Sequence, residues 1–432
     1  MKKKILALLM AAAMTASLVA GCGSTASSDT SSSSSDTSSS DTAASTDDTA
    51  SSDTSSSGSG IAADQITVGG IYVGDENEGY TEAHMNGIKE MAETLGLSSD
   101  QVIEKTNIPE DESCYDAAVD LADQGCNIVF ANSFGHESYM MQAAQEYPDV
   151  QFCHATGPSA RTAGIANFHN YFTSVYESRY VSGIVAGLKL NQMIADGKIT
   201  EDTAKMGYVG AYPYAEVISG FTSFYLGAKS VCPSVTMEVR YTNSWADISA
   251  ENETAKSLIA DGCVLISQHA DTTGAPTACE AAGVPCVGYN VDMTSVAPNT
   301  ALTSASIDWG PYYTYAVKCM IDGETIATDW CEGYSTGADK ITPLNTAVCA
   351  DGTEDAVKTA EDAIKSGSLH VFDTSTFTIG GQKLEDLIAG GGDYEKYAAS
   401  VSDGYYHESD VDINGSAPSF DLIIDGITSI TE

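Results

Sequence analysis

The sequence predicts an α/β fold of two Rossmann-like, doubly wound lobes, and three observations carry that prediction. From residue 66 onward, short β-branched apolar runs alternate with amphipathic helical stretches, the pattern of parallel sheets covered by helices on both faces. The alternation restarts near residue 175 with the same order of elements. Finally, "LADQGCNIVFANS" and "LIADGCVLISQHA" place the same helix–Gly–strand phrase at matching points of the two halves, which marks an internal repeat.

In the first half, "ITVGGIYV" is a strand, followed by a helix through "EAHMNGIKEMAETLG". The strand "QVIEKTNI", a helix through "CYDAAVDLADQG" and the strand "NIVFANS" come next. A helix around "SYMMQAAQEYP" then leads into "VQFCHATG". The second half opens with a long helix through "YESRYVSGIVAGLKLNQMIADG" and the strand "KMGYVGA". It continues through the helix "EVISGFTSFYLGAKSV", the strand "TMEVRYT" and the helix "ENETAKSLIADG" to the strand "CVLISQHA". A short helix through "APTACEAAG" precedes "PCVGYN", and near the end "LIIDGITSI" reads as a strand. The expected boundaries are 61–174 for lobe 1, completed by about 303–345, and 175–302 for lobe 2, completed by part of 346–432.

Residues before 61 lie outside that fold. "MKKKILALLMAAAMTASLVAGC" has three lysines, an apolar stretch and small residues ending at Cys22, the layout of an export signal over 1–21. Val19-Ala20-Gly21-Cys22 resembles a bacterial lipobox, which implies lipidation of Cys22 and attachment to the cell membrane. Residues 22–60 are Ser/Thr/Asp-rich without an aromatic or large aliphatic side chain, too polar to bury a core, and read as a tether. No other stretch has the ~18 continuous apolar residues of a spanning helix.

The formal charge of −41 argues against nucleic acid, whose phosphates need a basic face. Of eleven cysteines, several sit where small hydrophobes belong, among them Cys126, Cys153 and Cys263, and read as buried thiols. Cys319 and Cys331 flank a short connection and could pair; no zinc-type spacing occurs.

Doubly wound lobes take ligands at the carboxyl ends of their strands, in the cleft between them. The stretches after the strands are "GDENEGY", "NSFGHE", "AYPYAE", "NSWAD", "HADTTG", "YNVDM" and "IDWGPYY". They bring Tyr80, Ser133, Phe134, Tyr212, Trp245, His269, Asp271, Asn290, Asp292 and Trp309 together, with Tyr176 at the start of the long helix; Glu76 and Glu78 read as solvated loop charges. Aromatics and neutral or acidic groups dominate and Lys and Arg are missing, which suits a planar, neutral, polar ligand rather than phosphate.

Catalytic constellations are scarce. No phosphate loop, H-E-x-x-H, G-x-S-x-G or G-x-G-x-x-G signature occurs at the required places. His269 and Asp271 form the one conceivable acid–base pair, while Cys153 and His154 point to opposite faces of a strand. Asp410, Asp412, Asn414, Gly415 and Asp421 follow calcium-loop spacing, but Pro418 and the absence of an exiting helix favour an acidic turn. No metal or cofactor is expected.

The strand-end phrases resemble those of the basic membrane protein family of ABC-transporter substrate-binding lipoproteins, in its purine- and nucleoside-binding branch. The resemblance runs from about 66 to 320 and rests on "GDENEGYTEAHMNG", "VYESRYVSGIVAG", "MGYVGAYPYAEVISGF", "TNSWADISAENETAKSLIADG", "SQHADTTGAPTACEAAGV", "GYNVDM" and "DWGPYY". It implies the type I periplasmic-binding architecture, with three crossings between lobes that close on ligand. It also implies stacking on the base by Tyr80, with Phe134 beside it and Trp245 opposite. Asn290 stands where nucleoside binders carry a ribose-binding Asp, and the Lys that some of them use near "TSASIDWGPYY" is missing; both departures point toward a free nucleobase or another planar ligand. The resemblance further implies a monomeric extracytoplasmic receptor that serves an ABC permease and ATPase. A sensory receptor for another ligand, or a cleft enzyme using His269 and Asp271, are the alternatives.

Overall fold

The computed structural model describes residues 60–431; the expected signal peptide, Cys22 and nearly all of the tether lie outside the described residues. Strands β1 (Val68–Ile71), β2 (Val102–Lys105), β3 (Ile128–Ala131), β4 (Gln151–Ala155) and β5 (Phe168–Thr173) form the first sheet. Strands β6 (Lys205–Gly210), β7 (Thr236–Tyr241), β8 (Leu265–His269), β9 (Cys286–Tyr289) and β10 (Ala301–Ile307) form the second. The chain then returns to the first sheet with β11 (Asp329–Glu332) and to the second with β12 (Asp339–Ile341). A small hairpin, β13 (Val401–Ser402) and β14 (Tyr405–Tyr406), precedes β15 (Ile427–Ile430), which adds to the second sheet beside β7. The orders are β11-β5-β4-β3-β1-β2 and β12-β10-β9-β8-β6-β7-β15.

Within these two sheets every pairing is parallel except β10 with β12. β1 and β3 are buried throughout, as parallel strands covered on both faces must be. β5, where polar His169 and Asn170 interrupt the apolar run, was not read as a strand from sequence. The chain passes between lobes at 173–176, 307–310 and 332–339. Of the stretch 303–345 expected to complete lobe 1, the helix Gly310–Asp322 and β11 pack there, whereas β10 and β12 belong to the second sheet.

Helices Tyr176–Ala195 and Ala215–Val231 cross in close contact on the second lobe. Glycine permits that approach: a Cβ on Gly183 would lie 2.1 Å from the Phe224 carbonyl oxygen, and one on Gly227 would lie 2.0 Å from that of Tyr180. All ten cysteines of the described residues are free, Cys319 and Cys331 included, and eight are buried. No helix among the described residues is long and apolar enough to cross a membrane.

The C-terminal extension packs on lobe 2 through a cluster of Phe372, Phe377, Tyr406 and Phe420. Midway it reaches across to lobe 1. There the Arg161 guanidinium donates to the carbonyls of Val411, Asp412 and Ile413, and Ser416 donates to Asp329. The acidic turn is used locally: Asp410 caps a short helix, and Asp421 pairs with Lys396 and Tyr397.

Candidate functional site

A cavity of about 270 Å³ opens at the carboxyl ends of both sheets. The first lobe lines it with Val73, Gly74, Glu78, Tyr80, Asn132, Ser133, Phe134 and Thr156. The second contributes Tyr212, Glu216, Ser244, Trp245, Ala246, His269, Asp271 and Tyr289. The lobes touch across it. The Gly79 amide donates to the Asp271 carbonyl at 3.2 Å, and the Phe134 and Tyr214 rings stack with centroids 5.5 Å apart.

Tyr80 is placed by its own helix. Glu78 caps Gly79–Leu95, accepting from the amides of Tyr80 and Thr81, and the cap turns the ring toward the cavity. The Tyr80 hydroxyl donates to the Asn132 carbonyl at 2.8 Å, and its ring meets His84 and Trp309 edge-on. Beside it, the Ser133 hydroxyl donates to Glu110, and the Asn132 side-chain oxygen accepts from the Val73 amide. On this wall the free polar atom is the Thr156 hydroxyl, which has no partner; the residue itself is held at a positive φ of 69°.

The opposite wall is aromatic at its mouth, where Tyr212 stacks on Tyr214 and meets Trp245 at 64°. Deeper down it is acidic. Burial pushes the Glu216 carboxyl up to about 7, with the nearby Arg179 guanidinium opposing the rise. Burial likewise holds Asp271 well above the ordinary carboxylate range, reinforced by the charges of Glu78, Glu251 and Glu216. Burial also raises Glu78, despite its two cap bonds, so this residue is a site acid and not the solvated charge expected from sequence. His269 is pushed well below its ordinary value by burial, with Arg179 adding to the effect. The His269 Nδ1 and the Tyr289 hydroxyl have no partner in the protein.

Seven expected residues thus line one cavity: Tyr80, Ser133, Phe134, Tyr212, Trp245, His269 and Asp271. Four do not. Asn290, at a positive φ of 63°, sits behind the wall and donates to Asp271 at 2.9 Å. Asp292 is exposed and caps a turn through the Thr294 amide. Trp309 is fully buried, stacked on His84 at 4.0 Å; the tight approach of Gly87, whose Cβ would lie 2.6 Å from that of Trp309, fixes it in the lobe 1 core. Tyr176 packs on Phe372 behind the first crossing.

Glu216 and Tyr289 were missed, although Glu216 lies within the strand-end stretch "AYPYAE"; the rule that led to Tyr212 would have found it. His269 and Asp271 do not pair. His269 Nε2 lies 3.2 Å from Glu216, while Asp271 is engaged by Asn290. Among the described residues, no three His, Cys, Asp or Glu side chains gather as a metal site. The arrangement offers ring faces, hydrogen-bond acceptors and no lining cation.

The family described as ABC transporter substrate-binding protein, PnrA-like, matches residues 67–364. The purine-binding protein of Brucella abortus (strain 2308) is 33% identical over 350 residues, covering 79% of this chain and 94% of that protein. A putative ABC transporter glucose-binding protein of Haloferax volcanii is 32% identical over 58% of this chain and 60% of its own length. Among solved structures, a solute-binding protein of an ABC transporter system from Conexibacter woesei superposes with a TM-score of 0.57 at 22% identity, covering 71% of this chain and 98% of that one. One from Aeropyrum pernix K1 reaches 0.59 at 15% identity, covering 71% and 93%. Both share the type I periplasmic-binding fold.

Proposed function

The chain belongs to the PnrA-like family of ABC transporter substrate-binding proteins, and we propose that its cleft captures a purine, as nucleobase or nucleoside, for import. One observation carries the reading: both walls bring aromatic rings to a cavity whose acidic groups, Glu78, Glu216 and Asp271, have no lining Lys or Arg beside them. A purine offers two π-faces and a rim of N–H donors and ring-nitrogen acceptors. Rings supply stacking worth about 0.5–1.5 kcal/mol per contact beyond area burial. Ionised above about pH 7, Glu216 accepts from the N–H rim, and a buried anion bonded in this way is worth more than a neutral acceptor.

In this reading no bond is made or broken. Closure of the two lobes sequesters the ligand, and the closed form docks on a permease driven by its ATPase. Lipidation of Cys22 holds the monomer on the extracytoplasmic face of the membrane, with residues 22–60 as the tether. Mass spectrometry of the small molecule that copurifies with the folded chain tests the ligand. A purine base or nucleoside is expected; a hexose, as the name of the Haloferax relative would suggest for that protein, would contradict it.

A further inference from the structure

Arg179 does not line the cavity, yet it is fully buried one layer behind the second lobe's wall. It stands in the first turn of the helix Tyr176–Ala195, directly after the first crossing between lobes. Its Nη1 donates to the Gln268 carbonyl at 2.6 Å, next to His269. Its guanidinium carbon lies 3.7 Å from the centre of the Tyr289 ring, which lines the cavity on its other side. Nε and Nη2 have no partner. Gly220 makes room for the group: a Cβ there would lie 2.8 Å from His269 Nδ1 and 3.6 Å from Arg179 Nε.

A buried guanidinium is costly unless negative charge surrounds it, and here several neighbouring elements supply titratable groups. Glu216 comes from the helix Ala215–Val231, and His269 and Asp271 from the end of β8. Tyr208 comes from β6, Tyr289 from β9 and Asp339 from β12, with Glu177 on the same helix. We propose that Arg179 is the positioning residue of this site, setting the protonation states of Glu216 and His269 and so deciding which atoms of the wall accept and which donate. Its field favours ionised Glu216 and disfavours a second cation on His269. A ligand then meets a carboxylate beside a neutral imidazole.

The ligand side of this inference rests on the purine reading; the charge side does not, and the test separates them. Carboxyl ¹³C NMR of the ligand-free protein, with Glu216 assigned through Glu216→Gln, reads the charge directly. In Arg179→Gln, which keeps a donor for the Gln268 carbonyl, the Glu216 midpoint is expected to rise by about one pH unit, a tenfold change in proton affinity. In Arg179→Lys it stays within about half a unit of wild type. An unmoved midpoint in Arg179→Gln overturns the proposal. If that variant does not fold, Arg179→Lys decides, since a full-unit displacement there contradicts a role carried by charge.

Calorimetry with adenine across about pH 5.5–9 reads the consequence. Wild-type affinity should weaken as pH falls through the Glu216 midpoint, and in Arg179→Gln the weakening should begin at higher pH. A loss equal at every pH and not restored by Lys would show a packing role instead. Failure of any purine to bind the wild type would overturn the purine reading alone, with the NMR midpoints still deciding the role of Arg179.

Discussion

The two walls of the cleft are built from the same strand-to-helix junctions, yet their polar atoms are spent differently. On the lobe 1 wall the Tyr80 hydroxyl, Ser133 hydroxyl and Asn132 amide are engaged by the protein itself. That wall is a preformed plate whose rings are set by these bonds, with Glu78 and the unpartnered Thr156 hydroxyl as its remaining polar groups. On the lobe 2 wall Tyr289 and His269 keep unpartnered polar atoms, and Glu216 and Asp271 are buried acids with raised proton affinity. A stacking plate accepts many planar molecules, whereas buried polar groups reject any ligand that leaves them unpaired. The difference assigns holding to one lobe and reading to the other.

The strongest break in that division is Glu216→Gln. It replaces a charged acceptor facing the ligand and should weaken binding by about 1.5–3 kcal/mol, measured by calorimetry at a pH above the Glu216 midpoint. Trp245→Ala and Tyr80→Ala should each cost about 1–3 kcal/mol through lost stacking and burial; unchanged affinity in both would remove the two-sided aromatic grip. Tyr80→Phe sharpens the contrast. Its hydroxyl serves Asn132, so affinity should hold within about twofold while stability drops by about 0.5–1.5 kcal/mol.

The raised acids also predict how the ligand-free protein responds to pH. Burial raises Glu177, Glu216 and Glu251 to about 7 from 4.5, so the folded state binds more protons than the unfolded chain between those values. Their stabilising contribution is therefore present at low pH and lost as pH rises through about 7. The melting temperature should fall from about pH 5 to about pH 8, and Glu216→Gln should flatten part of that slope; a rise over the same range would contradict the burial of these groups. A further effect concerns neither wall. Arg161→Ala removes a charged hold on the C-terminal extension and should cost about 1–2 kcal/mol, visible as faster hydrogen exchange over residues 407–416.

Much of the architecture could be read from the letters because parallel strands are buried on both faces and stand out as apolar runs. β5 could not, since His169 and Asn170 are buried polar residues satisfied by partners distant in sequence, such as the Ala327 carbonyl and the Ala160 amide. The site was legible where the strand-end rule was followed to its conclusion, as at Tyr80, Trp245 and Asp271. It failed at Trp309, where a strand-end aromatic turned inward onto His84, and at Glu78, whose role as helix cap draws a loop carboxylate into the cavity. Arg179 was invisible for a different reason: nothing local in "YESRYVSG" shows that the guanidinium ends against Tyr289 on another strand.

We propose that the cleft grips a purine between a holding wall and a reading wall. Calorimetric titration of the ligand-stripped protein with adenine, guanine, their nucleosides and glucose tests it most directly. At least one purine is expected to bind in the micromolar range or tighter, about −8 kcal/mol, with no comparable heat from glucose. Dissociation constants weaker than about 100 µM for every purine, or tight binding of glucose alone, would contradict it.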